Sequence, residues 1–473
     1  MRFLLPALFL LLSFNAFAQS RRVAPSVGVP ISPANSTPAQ TVKQMFDEAN
    51  TYSRTKFAEF EQKKIGYSER LRLQTEREQK QLAAKYAAAL STQSNLAGED
   101  LYYLGLLHWI AENLDGTTDS LKKYLAAEPS PEKTQTARSI LVVIAAKRKN
   151  FDEASKYLAD YLKSEPQKLT ERARMENELA KAYLAAKDYT AAAPHAAEAF
   201  NTSREILSEP KSGPRGLDEL LDAGMLYFEA QSGAGNMQQA EDILNNLRKT
   251  AASIGNGSLF YYAADKLALY QIETGRKPLA LETFSATLTQ AEKQFPATND
   301  ANKDLVYRLK RREKQYKMIG EPAPEFVGVD QWFPGTAKTL ADLKGKVILL
   351  DFWATWCGPC FDAFPAFSEW HQDLASEGLV VLGLTRYYGR ADGLDADEVH
   401  EKAFLERFRE KQRLPYDFVV MRDAQTQNLY TATALPTTVL IDRKGRVRLV
   451  ESGTNPTRIE EMRLMVLKLL AEK

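Results

Sequence analysis

The spacing of hydrophobic residues in the first part of the chain predicts helices. From Thr41 to about Leu90, apolar positions recur with a helical period among many charged residues, as in Glu69-Arg70-Leu71-Arg72-Leu73. Gly66 lies inside this stretch and is a candidate break, because glycine weakens a helix interior. The pattern therefore predicts either one long helix or two shorter ones.

A helix-pair motif recurs from about Glu99 to Lys317. Each copy has a short turn followed by a helix with a small residue near its start, which lets helices approach closely. The corresponding positions are Thr117, Ala154, Ala192, Ala240 and Ala280. They lie 37 to 48 residues apart, a longer and less regular spacing than that of the 34-residue tetratricopeptide repeat. The region resembles degenerate tetratricopeptide repeats.

Such an array has a physical reason to form. A single helix pair cannot bury its apolar face, whereas stacked pairs share a continuous core and leave a concave surface. We expect this surface to dock a partner or a second copy of the chain. The alternative is a spacer, or a stabilising neighbour for the C-terminal domain.

The array is followed by a basic run from Arg308 to Lys317. The apolar residues Leu305, Leu309 and Tyr316 are spaced for a helix. We interpret the run as a solvated connecting helix.

The hydrophobic pattern changes after the array. The Pro-containing stretch from Gly320 to Phe326 breaks the helical period, and the short apolar run from Val347 to Phe352 suits a buried strand. Further strands are expected at Val380 to Leu384, Phe418 to Met421, Thr437 to Ile441 and Val447 to Glu451. Helices are expected around Cys360 to Ser376, Ala396 to Gln412 and Pro456 to Ala471. The predicted fold class is therefore multidomain: an all-α helical-repeat region over 41–318, then an α/β sandwich domain over 319–473.

Composition supports a soluble globular protein with more than one domain. The chain has 473 residues, of which 44% are hydrophobic and 26% charged, and its net charge is +1. A charge so close to zero does not favour a polyanionic partner, so no nucleic acid is expected to bind.

The first residues have the features of an export signal. Arg2 is basic, Phe3 to Phe14 is apolar, and Ala16-Phe17-Ala18 has the small-x-small form of a cleavage site. We therefore expect a signal peptide over 1–18, a flexible leader over 19–40 and a periplasmic or otherwise extracytoplasmic protein. An uncleaved membrane anchor is the less favoured alternative, because the apolar run is shorter than the roughly 20 residues that a spanning helix needs.

The chain contains two cysteines, Cys357 and Cys360, in a segment that predicts a strand, a turn and a helix. A helix N-terminus favours the thiolate form, so Cys357 should attack a substrate disulfide. Cys360, one turn further on, should then resolve the mixed disulfide and leave a Cys357–Cys360 disulfide. Half of a zinc site and a small structural disulfide are the weaker alternatives. None of the four histidines has metal-ligand spacing, so no metal and no cofactor is expected.

Several motifs of the C-terminal segment match a known family independently. Trp356-Cys357-Gly358-Pro359-Cys360 is the centre, Asp351 precedes its first cysteine by six residues, and Pro365 follows in the predicted helix. Leu435-Pro436-Thr437-Thr438 stands before a predicted strand. With these motifs the segment from about 319 to 473 resembles thioredoxin-like proteins. Its Gly-Glu-Pro-Ala-Pro-Glu-Phe opening further resembles the exported TlpA/ResA branch.

The resemblance implies roles for individual residues. Pro436 would be cis and face the cysteines, and Trp356 would cover the site. Asp351 would lie behind Cys360 with a raised pKa and accept its proton, although a structural turn partner is the alternative. Pro365 would kink the active-site helix. Substrate contacts would be made by Trp356, Gly358, Pro359, Leu435, Pro436 and Thr437.

The sequence departs from the family in two places. No lysine stands between Val380 and Leu384 to pair with Asp351. The stretch from Thr385 to Val399, with Arg386-Tyr387-Tyr388 near its start, replaces a short acidic turn. It is either a substrate-contact loop or a surface insertion.

These observations predict an exported thiol-disulfide oxidoreductase. The Gly-Pro dipeptide resembles reducing centres, so the expected activity is reduction of protein disulfides. Expected partners are disulfide-containing envelope proteins, an electron-donor thiol protein and proteins docked on the repeats. The alternative is a partner-binding scaffold whose C-terminal domain is a passenger or a redox-gated switch. A peroxidase would need a cysteine in a Pro-Thr-Cys context, which the chain lacks.

Overall fold

The computed structural model describes residues 40–127, 130–209 and 214–472. Two compact units divide at the bond between Ala137 and Arg138. The predicted signal peptide over 1–18 and nearly all of the predicted leader over 19–40 lie outside the described residues. Within the described ranges, no helix combines the length and the apolar character needed to cross a membrane.

The described residues before the C-terminal domain form α-helices joined by short turns. Those of the first unit are α1 (Val42–Gln62), α2 (Glu69–Ser91), α3 (Glu99–Ile110) and α4 (Leu114–Leu125). Helix α5 (Pro131–Lys147) contains the division between the units. The second unit continues with α6 (Phe151–Leu162), α7 (Leu169–Ala185), α8 (Tyr189–Ser208), α9 (Pro214–Gly233), α10 (Met237–Ser253), α11 (Gly257–Glu273), α12 (Lys277–Gln294) and α13 (Asp300–Met318). These helices are consistent with the predicted repeats.

The first charged stretch forms two helices rather than one. Helix α1 ends at Gln62, and α2 begins after Ser68, whose side chain accepts a hydrogen bond from the Leu71 N–H at 3.2 Å. Gly66 lies in the connection, as its helix-breaking tendency predicts.

One turn conformation recurs between paired helices. The residue before the cap has a positive φ at Glu112, Lys149, Lys187, Gly235 and Gly275. The next N–H then donates to a carbonyl oxygen five residues earlier, as in the bond from Asn113 to His108 at 2.9 Å. This closure ends the first helix, and the Asn113 side chain starts the second by accepting from the Gly116 N–H.

The small residues at the start of each second helix are fully buried. Exposure is 0% at all five predicted positions, which are Thr117, Ala154, Ala192, Ala240 and Ala280. A larger side chain at these positions would force the helix backbones apart or clash with neighbouring atoms. The predicted close approach of the helices is confirmed.

The interpretation of the basic run as a solvated helix is wrong for Arg312. The run is helical, in α13, but Arg312 is only 3% exposed. Its guanidinium pairs with Asp265 of α11 and with Glu451, which belongs to a strand of the C-terminal domain. A charge can be buried in this way because two carboxylates compensate it.

The C-terminal domain contains a six-stranded mixed sheet with helices. Its strands are β1 (Val329–Phe333), β2 (Val347–Phe352), β3 (Leu379–Arg386), β6 (Asp417–Met421), β7 (Thr437–Ile441) and β8 (Val447–Ser452), in the order β1-β6-β3-β2-β7-β8. A separate two-stranded ribbon comprises β4 (Arg390–Ala391) and β5 (Leu394–Asp395). The helices are α14 (Phe364–Leu374), α15 (Glu398–Gln412), α16 (Gln425–Leu429) and α17 (Pro456–Ala471). The predicted strands, α15 and α17 are confirmed to within two residues.

The start of the active-site helix differs from the prediction. Cys357 precedes a 3-10 turn over Gly358–Asp362, and the α-helix begins only at Phe364. Pro365 occupies the first turn of α14 and does not kink a continuous helix. Proline lacks the N–H that would extend the hydrogen-bond ladder through this position, so the helix starts anew around it.

Candidate active site

The two cysteines lie just beyond the carboxyl end of the central strand β2. They form a disulfide with an S–S distance of 2.05 Å and a Cα–Cα distance of 5.4 Å. Cys357 is 4% exposed and Cys360 is fully buried, whereas the intervening Gly358 and Pro359 are exposed. An approaching group therefore reaches the site from the side of Cys357.

Aromatic packing holds the inner side of this turn. Both cysteines belong to the apolar cluster on one face of the sheet, together with Trp353. The Trp353 ring lies 5.6 Å from the Phe364 ring and 5.2 Å from the Phe408 ring, centroid to centroid. These contacts join the active-site turn to α14 and α15, so the cysteines rest on a rigid core.

Hydrogen bonds and apolar packing fix the predicted proline loop. The Leu435–Pro436 peptide bond is cis, and the Pro436 carbonyl oxygen accepts a hydrogen bond from the Gly453 N–H at 2.8 Å. Leu435 is partly buried against the cluster that contains both cysteines. Thr437 is fully buried, and its hydroxyl donates to the Ala434 carbonyl oxygen at 2.6 Å. The Thr437 side chain is therefore turned away from solvent, and a contact between Thr437 and a substrate stays a prediction.

Thr454 adds a contact that the sequence did not indicate. Its hydroxyl donates to the carbonyl oxygen of Pro359 at 3.1 Å. The loop after β8 thereby holds the exposed residue between the two cysteines. A threonine in a loop carries no pattern that distinguishes this contact from an ordinary surface position.

Asp351 is completely buried within β2. Neither carboxylate oxygen has a hydrogen-bond partner among the described residues, and burial raises the pKa of Asp351 to about 8. A carboxyl group in this environment is mostly protonated at neutral pH. It can exchange a proton near the pH at which thiols titrate.

The surroundings explain how Asp351 is accommodated without a lysine. Its register partner on β3 is Gly383, and a Cβ there would lie 2.9 Å from the Phe418 ring and 3.1 Å from Nε1 of Trp353. No side chain, and therefore no lysine, fits at this position of β3. Tyr416, which the sequence did not single out, lies close enough that the charge of Asp351 adds to burial in raising the pKa of its phenol.

Trp356 forms the exposed edge of the site. It is 57% exposed and contacts the ring of Tyr388 edge to face, with centroids 5.4 Å apart. Tyr388 belongs to the stretch after β3 whose role the sequence left open. The structure therefore brings that stretch next to the residue that precedes Cys357.

Comparison with known proteins gives the site its class. The AhpC/TSA family matches residues 319–450. The thiol-disulfide oxidoreductase ResA of Geobacillus kaustophilus (strain HTA426) is 32% identical over 142 residues, which are 30% of this chain and 74% of the relative. The chain belongs to the ResA family of thiol-disulfide oxidoreductases. ResA of Bacillus subtilis (strain 168) is 31% identical over 149 residues, which are 32% of this chain and 75% of the relative.

The similarity to ResA proteins is confined to about a third of the chain. The predicted thioredoxin-like domain and thiol-disulfide oxidoreductase class are confirmed. A solved thiol:disulfide interchange protein of the thioredoxin family from Chlorobium tepidum TLS is 23% identical, and the match covers 32% of this chain and 96% of that one with a TM-score of 0.26.

Proposed function

We propose that this ResA-family chain reduces protein disulfides through Cys357 and Cys360. The observation that carries the proposal is the asymmetry of the pair. Cys357 borders the exposed surface formed by Trp356, Gly358 and Pro359, whereas Cys360 is fully buried. An accessible thiolate attacks, and a buried thiol is kept for resolution.

The reaction has two exchange steps. The Cys357 thiolate attacks one substrate sulfur, a mixed disulfide forms, and the other substrate sulfur leaves as a thiolate. Cys360 then transfers its proton to the carboxylate of Asp351 and attacks Cys357 Sγ. The second substrate sulfur then leaves as a thiolate. The substrate disulfide has gained two electrons, and the cysteine pair has lost them in forming the Cys357–Cys360 disulfide. A donor dithiol must reduce it before the next cycle.

Cysteine variants test these roles. Cys357→Ser should abolish reduction of insulin disulfides, because no thiolate remains to attack. Cys360→Ser should accumulate a mixed disulfide with substrate, visible as a shifted band on a non-reducing gel. The double variant should form no adduct. Full insulin reduction by Cys357→Ser would overturn the assignment.

The direction of the reaction requires the reduction potential of the pair. The purified protein is equilibrated in glutathione or dithiothreitol buffers, and free thiols are trapped. A strongly negative potential supports a reductase supplied by a dedicated donor. A value near that of oxidising or isomerising proteins, about −120 to −180 mV, would reverse the direction.

The cellular site of action is part of the proposal. The features of residues 1–18 support export, and the chain would then meet disulfide-containing envelope proteins and a donor thiol protein there. Fractionation of cells that express the full chain tests this directly, with N-terminal sequencing of the recovered protein. Recovery only in the cytoplasm with the first 18 residues intact would contradict export.

A docking role for the helices is the second candidate. It is favoured by the buried contacts of Arg312 with Asp265 and Glu451, which join α11 and α13 to the redox domain. A partner held by the helices would thus stay near the cysteines. The test compares envelope proteins that bind the full chain with those that bind the double cysteine-to-serine variant. Equal recovery would favour a scaffold, and loss of binding would favour capture by disulfide exchange.

A further inference from the structure

A buried carboxylate organises the stretch after β3. Glu401, on α15, is 2% exposed, and its carboxylate accepts hydrogen bonds from three consecutive backbone N–H groups. These belong to Tyr388 and Gly389, both at 2.8 Å, and to Arg390 at 3.3 Å. An anion that receives converging N–H groups fixes the local backbone, so the position of Tyr388 is set by α15.

The Tyr388 side chain is fixed as well. Its hydroxyl accepts a hydrogen bond from Gln427 Nε2 at 3.0 Å, and the Arg386 guanidinium lies 4.0 Å from its ring centroid. Arg386 Nε also donates to Gln427 Oε1 at 3.0 Å. The ring is therefore held by its hydroxyl and by one of its faces.

The fixed ring contacts the exposed residue next to the nucleophile. Trp356 meets Tyr388 edge to face, with an interplanar angle of 90°. Because Trp356 immediately precedes Cys357, the two rings form an aromatic wall next to Cys357. Arg390 is exposed on the same stretch and adds positive charge. A polypeptide that presents a disulfide must pass this wall, whereas a small disulfide need not.

We infer that Tyr388 is a specificity-determining residue that contacts the polypeptide flanking the substrate cysteine, and that Glu401 is the residue that positions it. The inference rests on the disulfide exchange proposed above. The substrate class that it names is a protein disulfide with an apolar or aromatic side chain near the reacting cysteine. Small disulfides such as Ellman's reagent would use the same sulfur without contacting Tyr388.

The experiment compares one protein substrate with one small substrate in the full chain. Tyr388→Ala should lower kcat/KM for insulin about 3- to 10-fold, mainly through KM, because an aromatic contact is lost. The rate with Ellman's reagent should stay within about twofold. Tyr388→Phe keeps the ring and should recover most of the loss.

Variants at Glu401 test positioning separately. Glu401→Ala should reproduce the selective loss on insulin, and Glu401→Gln, which keeps an acceptor oxygen, should lose less. Val399→Ala is the matched control, because Val399 lies on the same helix, is 74% exposed and has no place in the wall. The reduction potential of the cysteine pair should be the same in all variants.

The outcomes separate the inference from the proposed function. Equal losses on insulin and on Ellman's reagent, or no loss on insulin, would overturn the role of Tyr388. Failure of the wild-type chain to reduce insulin would instead contradict the reductase. In that case the oxidised chain is assayed with a reduced dithiol peptide and with dithiothreitol. The role of Tyr388 then requires that Tyr388→Ala slows oxidation of the peptide but not of dithiothreitol.

Discussion

The guanidinium of Arg312, on α13, lies 3.1 Å from the carboxylate of Glu451, on β8. The same guanidinium contacts Asp265 of α11 and donates to the Val450 carbonyl oxygen. One buried cation thus satisfies groups from a helix of the array and from the sheet of the redox domain. The helices and the sheet of this unit are therefore joined by a buried polar contact centred on Arg312.

Arg312→Ala should destabilise this unit strongly. Removal of the cation takes from Asp265 its ion-pair partner and leaves Glu451 with Arg458 alone, at an expected cost of about 3–5 kcal/mol in the free energy of unfolding. Urea unfolding can be followed by tryptophan fluorescence, since Trp332, Trp353, Trp356 and Trp370 lie in the redox domain. Lys314→Ala, an exposed neighbour on the same helix, should change stability by less than about 0.5 kcal/mol. Similar midpoints for both variants would contradict the structural role of Arg312.

Local periodicity predicted most elements but could not predict this contact. The partners of Arg312 are 47 and 139 residues away along the chain. A basic residue on a helix surface gives no local sign of such partners, so a solvated position was the reasonable expectation. The predicted apolar face of the same helix is confirmed at Tyr316, four residues after Arg312, because Tyr316 is fully buried.

The site shows the same division between local and long-range information. The Cys357–Cys360 motif could be recognised from spacing, and Asp351, within ten residues of it, from the resemblance to thioredoxin-like proteins. Tyr388 and Glu401 could not, because their relation depends on a loop conformation closed by backbone N–H groups. Strand β1 was also missed, since polar residues Asp330 and Gln331 interrupt its apolar pattern at the edge of the sheet.

Replacement of Asp351 should change how stability depends on pH. Burial raises the pKa of this carboxyl to about 8, so the folded protein holds a proton that the unfolded chain releases near pH 4. Stability is therefore lost as pH rises from about 4 to 8, by up to about 1.4 kcal/mol per pH unit.

Asp351→Asn removes this titration, so its stability relative to wild type should increase with pH between about 4 and 8 and then level off. Urea unfolding of the oxidised protein at pH 5, 7 and 9 measures the difference. Asp417→Asn controls for the loss of an acid from strand β6 of the same sheet. A free energy of unfolding that differs between wild type and Asp351→Asn by the same amount at all three pH values would exclude a strongly raised pKa of Asp351.

The resolving step should follow the ionisation of the same carboxyl. If Asp351 accepts the Cys360 proton, the active form is the carboxylate, whose fraction rises through about pH 8. Decay of a preformed mixed disulfide should therefore accelerate across that range in the wild type. In Asp351→Asn it should be slower at pH 8, by about 10²-fold for loss of a general base, without the inflection. Stopped-flow fluorescence measures the decay, and identical pH profiles would remove Asp351 from the step.

Gly383 should tolerate no side chain, because it leaves the space that Trp353 and Phe418 fill beside Asp351. A Cβ at this position would lie 2.9 Å from Cδ1 of Phe418 and 3.1 Å from Nε1 of Trp353. Both rings are fully buried and cannot move aside without disturbing the core under the cysteines. We expect Gly383→Ala to lower the free energy of unfolding by about 1–3 kcal/mol. Gly66→Ala, where no atom lies within 4 Å of the added Cβ, is the matched control and should not destabilise the protein. Equal stability of the two variants in urea would show that the core around Asp351 is looser than its contacts indicate.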